Sequence, residues 1–195
     1  LMGVRAVEAS TVARKLGWKC IQSKAIPGIG AGSSGGVMTL AREWIGLSEA
    51  RIISPGRAVG VMVEYPGCPP YLAISAYMGT GKGIEEENLQ LLQAIGDAGA
   101  SAELPMIMGA DFQTSPQDIE STGFALRLGC EVLQASNNMG TCKGKSGRST
   151  VYFFVVDGDL AKGVSEVATV LEVEPHPHRP VRISISIVYA DYSYW

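Results

Sequence analysis

The chain has 195 residues, of which 46% are hydrophobic and 18% charged, and its formal net charge is −3. This balance is too apolar for a disordered chain and too varied for a coiled coil or a collagen-like repeat, so it predicts one globular domain over residues 1–195. No apolar stretch approaches the roughly 18 residues of a membrane-spanning helix, and a slightly negative chain has no global field that attracts nucleic acids.

The first half of the chain is predicted to be mostly sheet. An initial helix with apolar residues at Val4, Val7, Val12 and Leu16 ends at Gly17. Glycine- and proline-rich turns then separate a series of predicted strands, which cover residues 18–26, 36–42, 51–53, 58–65 and 71–77.

The second half mixes helices with strands. Apolar residues at helical spacing around Glu85-Glu86-Glu87 predict a helix whose acidic start suits the positive end of the helix dipole. Ser115, Pro116 and Asp118 form a helix-start signature, which predicts a helix over 116–123. Further strands are predicted over 105–109, 151–157, 164–173 and 181–189. The whole pattern predicts an α/β (α+β) fold of two packed sheets flanked by helices.

Two glycine-rich stretches look like phosphate-binding loops but lack the required context. Residues 30–35 match G-x-G-x-x-G, yet a strand follows them instead of a helix; residues 140–146 resemble a P-loop with one residue too few. Neither predicts a nucleotide site. Lys143, Lys145 and Arg148 still form the densest positive cluster, which is either a solvated loop or a local phosphate-binding patch.

The cysteines argue against a structural metal site. Cys20, Cys68, Cys130 and Cys142 form no Cys-x-x-Cys pair, and His176-Pro177-His178 does not make a coordination sphere by itself. Reduced thiols in an intracellular protein are the simplest interpretation, while the even count leaves a bridge between Cys130 and Cys142 open.

Five short motifs occur along the chain in a recognisable order. They are Ser34-Gly35-Gly36-Val37, the strand ending at Tyr77, Asp111-Phe112-Gln113, Val151-Tyr152-Phe153 and Pro177-His178-Arg179-Pro180-Val181. In this order they resemble the endonuclease/exonuclease/phosphatase superfamily, which has Ser-Gly-Gly-Val, a tyrosine-ending strand, Gly-Asp-Phe-Asn, Asp-Tyr-Phe and Asp-His-x-Pro-Val. The resemblance covers residues 18–187. It implies a DNase I-like two-sheet fold, of which this chain is expected to lack the first strands.

The resemblance implies roles for three matching residues. Asp111 matches the aspartate beside the attacking water, Tyr77 the phosphate-contacting tyrosine, and His178 the catalytic histidine. Phosphodiester hydrolysis in this family also needs a divalent cation held by acidic side chains. Of the matched residues, Asp111 is the one expected to contact such a metal.

Three positions depart from the family pattern. Gln113 replaces asparagine, and its extra methylene moves the amide by about 1.5 Å. Val151 takes the place of the aspartate that orients the histidine, and Pro177 takes the place of a carboxylate beside the metal. Losing the orienting carboxylate of a Ser-His-Asp site costs about 10⁴ in rate.

A single retained aspartate is a poor site for a hard dication that needs several oxygen ligands. The sequence therefore predicts a degenerate, catalytically inactive domain that binds no cofactor and serves as a binding or structural subunit. Two alternatives stay open. One is a magnesium-dependent phosphodiesterase that takes further ligands from Asp157, Glu174, an upstream segment or a partner. The other is a nucleic-acid-binding domain without cleavage.

The last residues, 188–195, are aromatic beyond the family pattern. Tyr192, Tyr194 and Trp195 are typical of interface anchors, which predicts a protein partner or a larger assembly. A tail folded back on its own domain is the alternative. No signal peptide pattern is visible, so the protein is expected to be intracellular.

Overall fold

The structure, a computed structural model, describes residues 3–27, 33–137, 139–144, 147–171 and 178–186. The helices in these ranges are α1 (Gly3–Lys15), α2 (Glu86–Ala102), α3 (Pro116–Ser121), α4 (Phe124–Arg127) and α5 (Gly158–Ala161). The strands up to the middle of the chain are β1 (Trp18–Ser23), β2 (Ile26–Pro27), β3 (Ser33–Ser34), β4 (Val37–Arg42), β5 (Gly46–Ser54), β6 (Ala58–Glu64) and β7 (Tyr71–Tyr77). Those that follow are β8 (Met106–Asp111), β9 (Cys130–Leu133), β10 (Cys142–Gly144), β11 (Gly147–Ser149), β12 (Tyr152–Asp157), β13 (Val164–Thr169) and β14 (Val181–Ile185).

A six-stranded sheet in the order β5-β6-β7-β8-β12-β9 forms the centre of the molecule. Strands β7 and β8 run parallel and are connected through α2, because parallel neighbours need a long crossover. All other neighbours in this sheet are antiparallel. The carboxyl ends of β7 and β8 therefore lie at the same edge, where β12 begins.

One face of the central sheet packs against α2 and carries the main core. Alternate residues of β7 and β8 point to this face and are buried together with the apolar stripe of the helix: Leu72, Ile74, Met106, Met108, Leu91, Leu92 and Ile95. Each such side chain contributes about 1.5–3 kcal/mol when fully buried. Because side chains alternate along a strand, the remaining residues of β7 and β8 face the opposite side of the sheet, away from α2.

The opposite face of the sheet is covered by a second layer of strands. Two antiparallel pairs, β1 with β4 and β13 with β14, make up this layer. Strand β4 packs on β6 and β7, and β14 packs on β12. Between the layers, Thr39 Oγ1 lies 2.8 Å from Ser75 Oγ. The predicted α+β fold of two packed sheets with flanking helices is confirmed.

Several element boundaries differ from the predicted ones for identifiable reasons. Strand β5 begins at Gly46 instead of residue 51. Its pairing with β6 shifts register between Ser48 and Arg51, where a bulge with Glu49 at a φ of 46° keeps the strand continuous. The helix expected over 116–123 ends at Ser121, and Gly123 takes a φ of 68°. Elements of three or four residues, such as β9, β10, β11 and α4, show no periodicity and were not predicted. The strand ends expected over 170–173 and 186–189 fall partly outside the described residues.

Candidate functional site

Three neighbouring strands place three polar side chains in one row at the edge of the central sheet. Tyr77 at the end of β7 pairs with Asp111 at the end of parallel β8, and Asp111 pairs with Tyr152 at the start of antiparallel β12. Residues directly opposite each other on neighbouring strands share a face. The row faces the second layer, away from α2. Two of its members, Tyr77 and Asp111, were predicted as site residues.

His178 joins this row from a distant part of the chain. A β-bridge between Cys142 and His178 and a 2.7 Å hydrogen bond from the Arg179 N–H to the Thr141 carbonyl hold the backbone there. The His178 Nδ1 atom lies 2.8 Å from the hydroxyl of Tyr152. The structure therefore brings Asp111, Tyr77 and His178 together.

The Tyr152 hydroxyl connects the aspartate to the histidine. Its oxygen lies 3.2 Å from Asp111 Oδ2 as well as 2.8 Å from His178 Nδ1. An ionised carboxylate only accepts hydrogen bonds, so the single hydroxyl proton is donated to Asp111 and the oxygen accepts from Nδ1–H of His178. In this arrangement the neutral imidazole keeps its lone pair on Nε2.

The surroundings of the site disfavour the charged forms of both Asp111 and Tyr152. Burial raises the pKa of Asp111, against the opposing effects of hydrogen bonds from Gln113 and Tyr152 and of the His178 charge. Burial, together with the neighbouring Asp111, also raises the pKa of Tyr152 above its usual value, so this tyrosine is neutral at physiological pH. The Asp111 Oδ1 atom is buried without a hydrogen-bond partner.

Tyr77 is held by a loop that the helix α2 fixes in place. Its hydroxyl lies 2.8 Å from Thr80 Oγ1, and the Arg57 guanidinium lies 5.2 Å from its ring centre. The buried Asn88 accepts from the Gly79 N–H and donates to the carbonyls of Gly79 and Gly83. These bonds stabilise the Gly79–Gly83 turn beside the site.

Gln113, predicted as a departure from the family pattern, has a strained backbone. Its φ is 54°, in the left-handed region that costs a non-glycine residue about 1–2 kcal/mol. The side chain lines the same cleft as Asp111 and His178. Strain at a cleft residue is typical of functional positions.

These side chains line a cleft of about 880 Å³ between the two layers. At its polar end are Tyr77, Thr80, Asp111, Gln113, Cys142, Tyr152, His178 and Arg179. Among the described residues that line the cleft, Asp111 carries the one acidic side chain and Arg179 the one permanent positive charge. A volume of this size is typical of a small-molecule site.

The basic cluster lies on a separate ribbon next to the cleft. Lys143 on β10 and Arg148 on β11 are exposed and directly opposite each other across the ribbon. Like charges in such a pair destabilise a two-stranded ribbon. Lys145 lies outside the described residues, as do Pro177, Glu174 and the aromatic tail residues Tyr192, Tyr194 and Trp195.

No family profile and no curated protein matches the sequence. Solved structures do match. The endonuclease domain of TRAS1, a telomere-specific non-LTR retrotransposon, superposes with a TM-score of 0.69 at 15% identity, over 87% of this chain and 78% of that one. The 3′-5′ exonuclease NExo of Neisseria meningitidis has a TM-score of 0.66 at 14% identity, over 90% and 82% of the two chains. The AP endonuclease of Leishmania major gives 0.65 at 12% identity, over 86% and 70%.

The chain has the DNase I-like fold. This is the fold that the five ordered motifs predicted. The superpositions establish the fold of this domain. At sequence identities of only 12–15% they do not establish its activity, which has to be argued from its own residues.

The structure of the DNase I-like domain corrects one sequence match by a single residue. Tyr152, and not Val151, lies against His178, because it belongs to the row that faces the second layer. Val151 instead accepts from the Phe112 N–H through its carbonyl and donates to Thr141 Oγ1. Matching Tyr152-Phe153-Phe154 to the Asp-Tyr-Phe motif, which keeps its aromatic pair, would have found this residue.

The described residues of this DNase I-like cleft do not fit a magnesium ion. Mg²⁺ requires near-octahedral oxygen ligands, and burial disfavours the charge on the one carboxylate that lines the cleft. In the described part of the chain, no three His, Cys, Asp or Glu side chains converge as a metal site would require. Asp157, considered as a further ligand, lies at the opposite end of β12 from Tyr152 and caps α5.

Two further observations concern the cysteines and the helices of the DNase I-like domain. Cys130 and Cys142 are free thiols, as are Cys20 and Cys68, so the bridge left open by the cysteine count is not formed. No helix in the described ranges is long and apolar enough to cross a membrane.

Proposed function

We propose that this DNase I-like domain is a degenerate member of its fold that binds phosphate groups in the cleft without hydrolysing them. The observation that carries the proposal is the Tyr152 hydroxyl, which bridges Asp111 Oδ2 and His178 Nδ1 at 3.2 and 2.8 Å. A neutral hydroxyl orients the imidazole as a carboxylate would, but it adds no negative charge to stabilise an imidazolium.

Phosphate binding is supported by the groups at the polar end of the cleft. Arg179 supplies positive charge, while Thr80 and Tyr77 supply hydroxyl groups and His178 a ring nitrogen. Charge-assisted hydrogen bonds to phosphate oxygens are about twice as strong as neutral ones. Among the lining residues that the structure describes, only Asp111 is acidic, so an anion is the ligand that this end of the cleft favours.

Binding of inorganic phosphate, followed by NMR titration of the protein, tests this function. We expect saturable binding that weakens at least fivefold in Arg179→Ala. Arg182→Ala is the matched control, because Arg182 carries the same charge outside the cleft and pairs with Glu166 at 2.9 Å. Equal loss in both variants, or no saturable binding by the wild-type protein, would contradict phosphate binding in the cleft.

The alternative of a magnesium-dependent phosphodiesterase is favoured by one observation, the convergence of Asp111, Tyr77 and His178. Incubation with plasmid DNA and with an aryl phosphodiester in Mg²⁺ or Mn²⁺ distinguishes the two functions. We expect no cleavage above the background rate. Cleavage abolished by both Asp111→Ala and His178→Ala would establish a hydrolase and overturn the inactive assignment.

Nucleic-acid binding without cleavage is a second candidate, favoured by the opposed pair Lys143 and Arg148. A polyanion that lies along the ribbon would relieve the repulsion between them. We expect weak, salt-dependent binding of a short oligonucleotide, with a smaller salt dependence in Lys143→Gln. Unchanged salt dependence in that variant would exclude the ribbon from binding.

A further inference from the structure

The cleft continues behind the Tyr77, Asp111 and Tyr152 row into the space between the two layers. The next row on the same face of the sheet consists of Ser75, Gly109 and Phe154. Two residues along a strand span about 7 Å, so this second row lies about 7 Å from the Tyr77, Asp111 and Tyr152 row, a distance comparable to the length of a six-membered ring. We name the inner recess by its lining residues Met38, Ser75, Gly109, Phe154 and Val181.

Two of the three residues in this second row, Ser75 and Gly109, are small. Gly109 lies inside the central strand β8, where glycine weakens a strand and marks a close approach by another group. The approaching group is the Phe154 ring: a Cβ atom at Gly109 would lie 3.1 Å from it, so this ring packs over Gly109 and forms the wall of the recess there. The Ser75 hydroxyl is engaged with Thr39 at 2.8 Å. On the opposite face of the same strands, Ile74 and Met108 are large and buried.

The walls of the inner recess are apolar. Met38 from β4, Val181 from β14 and Phe154 from β12 line it, and each is only half-buried. A phenylalanine in the middle of a paired strand is normally covered by its neighbours. An apolar compartment with polar groups at one end is the arrangement that recognises an amphiphilic organic ligand.

We propose that the ligand of this domain is an aromatic phosphate ester, with its ring in the inner recess and its phosphate at His178. The proposal rests on the function proposed above and names its ligand class. The Phe154 side chain offers an aromatic surface, against which a ring packs in an offset or edge-to-face arrangement. A phosphate ester with a very small substituent would not fill the inner recess and would therefore gain no contact with its apolar walls.

Titration of the wild-type protein with phenyl phosphate and with methyl phosphate tests the ligand class. Both probes carry one phosphate monoester and differ only in the group that would enter the inner recess. We expect phenyl phosphate to bind at least tenfold more tightly and to shift the amide resonances of Ser75 and Gly109. Methyl phosphate is expected to leave those two resonances unchanged.

Substitutions inside the inner recess locate the aromatic ring. Ser75→Leu fills the recess and Phe154→Leu removes its aromatic wall, so each is expected to reduce the preference for phenyl phosphate to threefold or less. Ala73→Leu is the matched control, because Ala73 lies on the same face of β7 but does not line the cleft. If Ser75→Leu does not fold, Phe154→Leu decides.

The outcomes separate this proposal from the one on which it rests. Equal affinity for the two esters overturns the aromatic ligand and leaves phosphate binding intact. A preference for phenyl phosphate that survives both recess substitutions overturns the placement of the ring. Failure to bind either ester or inorganic phosphate overturns the proposed function itself. Loss of the preference in Ser75→Leu and Phe154→Leu, but not in Ala73→Leu, supports the proposal.

Discussion

Replacing Tyr152 with phenylalanine removes the one atom that connects Asp111 to His178. The hydroxyl lies 2.8 Å from His178 Nδ1 and 3.2 Å from Asp111 Oδ2. Because the ring is retained, the apolar contacts of β12 are unchanged. Asp111 then has no hydrogen bond to Oδ2 from this hydroxyl, and its Oδ1 atom is already buried without a partner.

The expected loss of stability follows from these two bonds. A hydrogen bond to a charged group contributes about 1.5–3 kcal/mol and a neutral one about 1 kcal/mol, so the variant is expected to lose roughly 2.5–4 kcal/mol. In a protein of this size, 1 kcal/mol shifts Tm by about 2–4 °C, which predicts a fall of roughly 5–16 °C at neutral pH. Tyr77→Phe is the matched control. It removes a hydroxyl that bonds only the neutral Thr80 at 2.8 Å, so its loss is expected to be about 1 kcal/mol or less.

The loss in Tyr152→Phe is expected to depend on pH. Burial raises the pKa of Asp111 and the Tyr152 hydrogen bond lowers it, so removal of the hydroxyl raises the folded-state pKa further. A group with a raised folded-state pKa supports the folded state below its unfolded pKa, and this support disappears as pH rises through the folded pKa. The variant's deficit relative to wild type is therefore smallest near pH 4 and grows toward pH 7.

Urea unfolding at pH 4, 5, 6 and 7, followed by circular dichroism, measures these deficits for both variants. An equal deficit of Tyr152→Phe at pH 4 and pH 7 would contradict a hydrogen bond from Tyr152 to an ionised Asp111. A loss of stability in Tyr152→Phe no larger than that in Tyr77→Phe would contradict the bridge between Asp111 and His178.

Three further substitutions have expected outcomes. Gln113→Asn should raise Tm by about 2 °C, because asparagine tolerates the φ of 54° better than glutamine; an unchanged or lower Tm contradicts the strain. Asn88→Ala removes three hydrogen bonds to the Gly79–Gly83 turn and should cost about 3 kcal/mol and speed hydrogen exchange at the Gly79 amide; native protection there would show that the turn holds without it. Gly35→Ala, whose Cβ would overlap the Gly56 carbonyl oxygen, should cost at least 1 kcal/mol more in urea unfolding than Gly17→Ala, which has a similar φ and no atom within 4 Å. Equal costs for the two alanines would contradict the close approach.

The candidate site was predictable where a residue ends or begins an element with a clear pattern. Asp111 and Tyr77 follow apolar strands, and His178 precedes an alternating one, so their positions at strand ends follow from the sequence. Tyr152 was missed because a strand's register has a period of two, and a match displaced by one residue exchanges the two faces. Val151 and Tyr152 are neighbours in sequence, yet only Tyr152 faces His178.

The inner recess was not predictable from the sequence at all. A glycine inside a predicted strand indicates a bulge or a close approach, but it does not indicate which group lies opposite. Only the pairing of β8 with β7 and β12 places Ser75, Gly109 and Phe154 in one row. The positions of Met38 and Val181 depend in turn on how the second layer packs on that row.

By itself, the sequence determined the two-sheet fold and the order of its motifs, because alternating strands, turn residues and helix caps act over a few residues. It also determined that Asp111, Tyr77 and His178 are the residues to examine. The tertiary structure decided that Tyr152 joins them, that Asp111 is the one acidic side chain among the described residues of the cleft, and that the cleft continues behind this row. The physical reason is that strand pairing and the contact between layers bring together residues far apart in sequence, and local patterns carry no information about those distances.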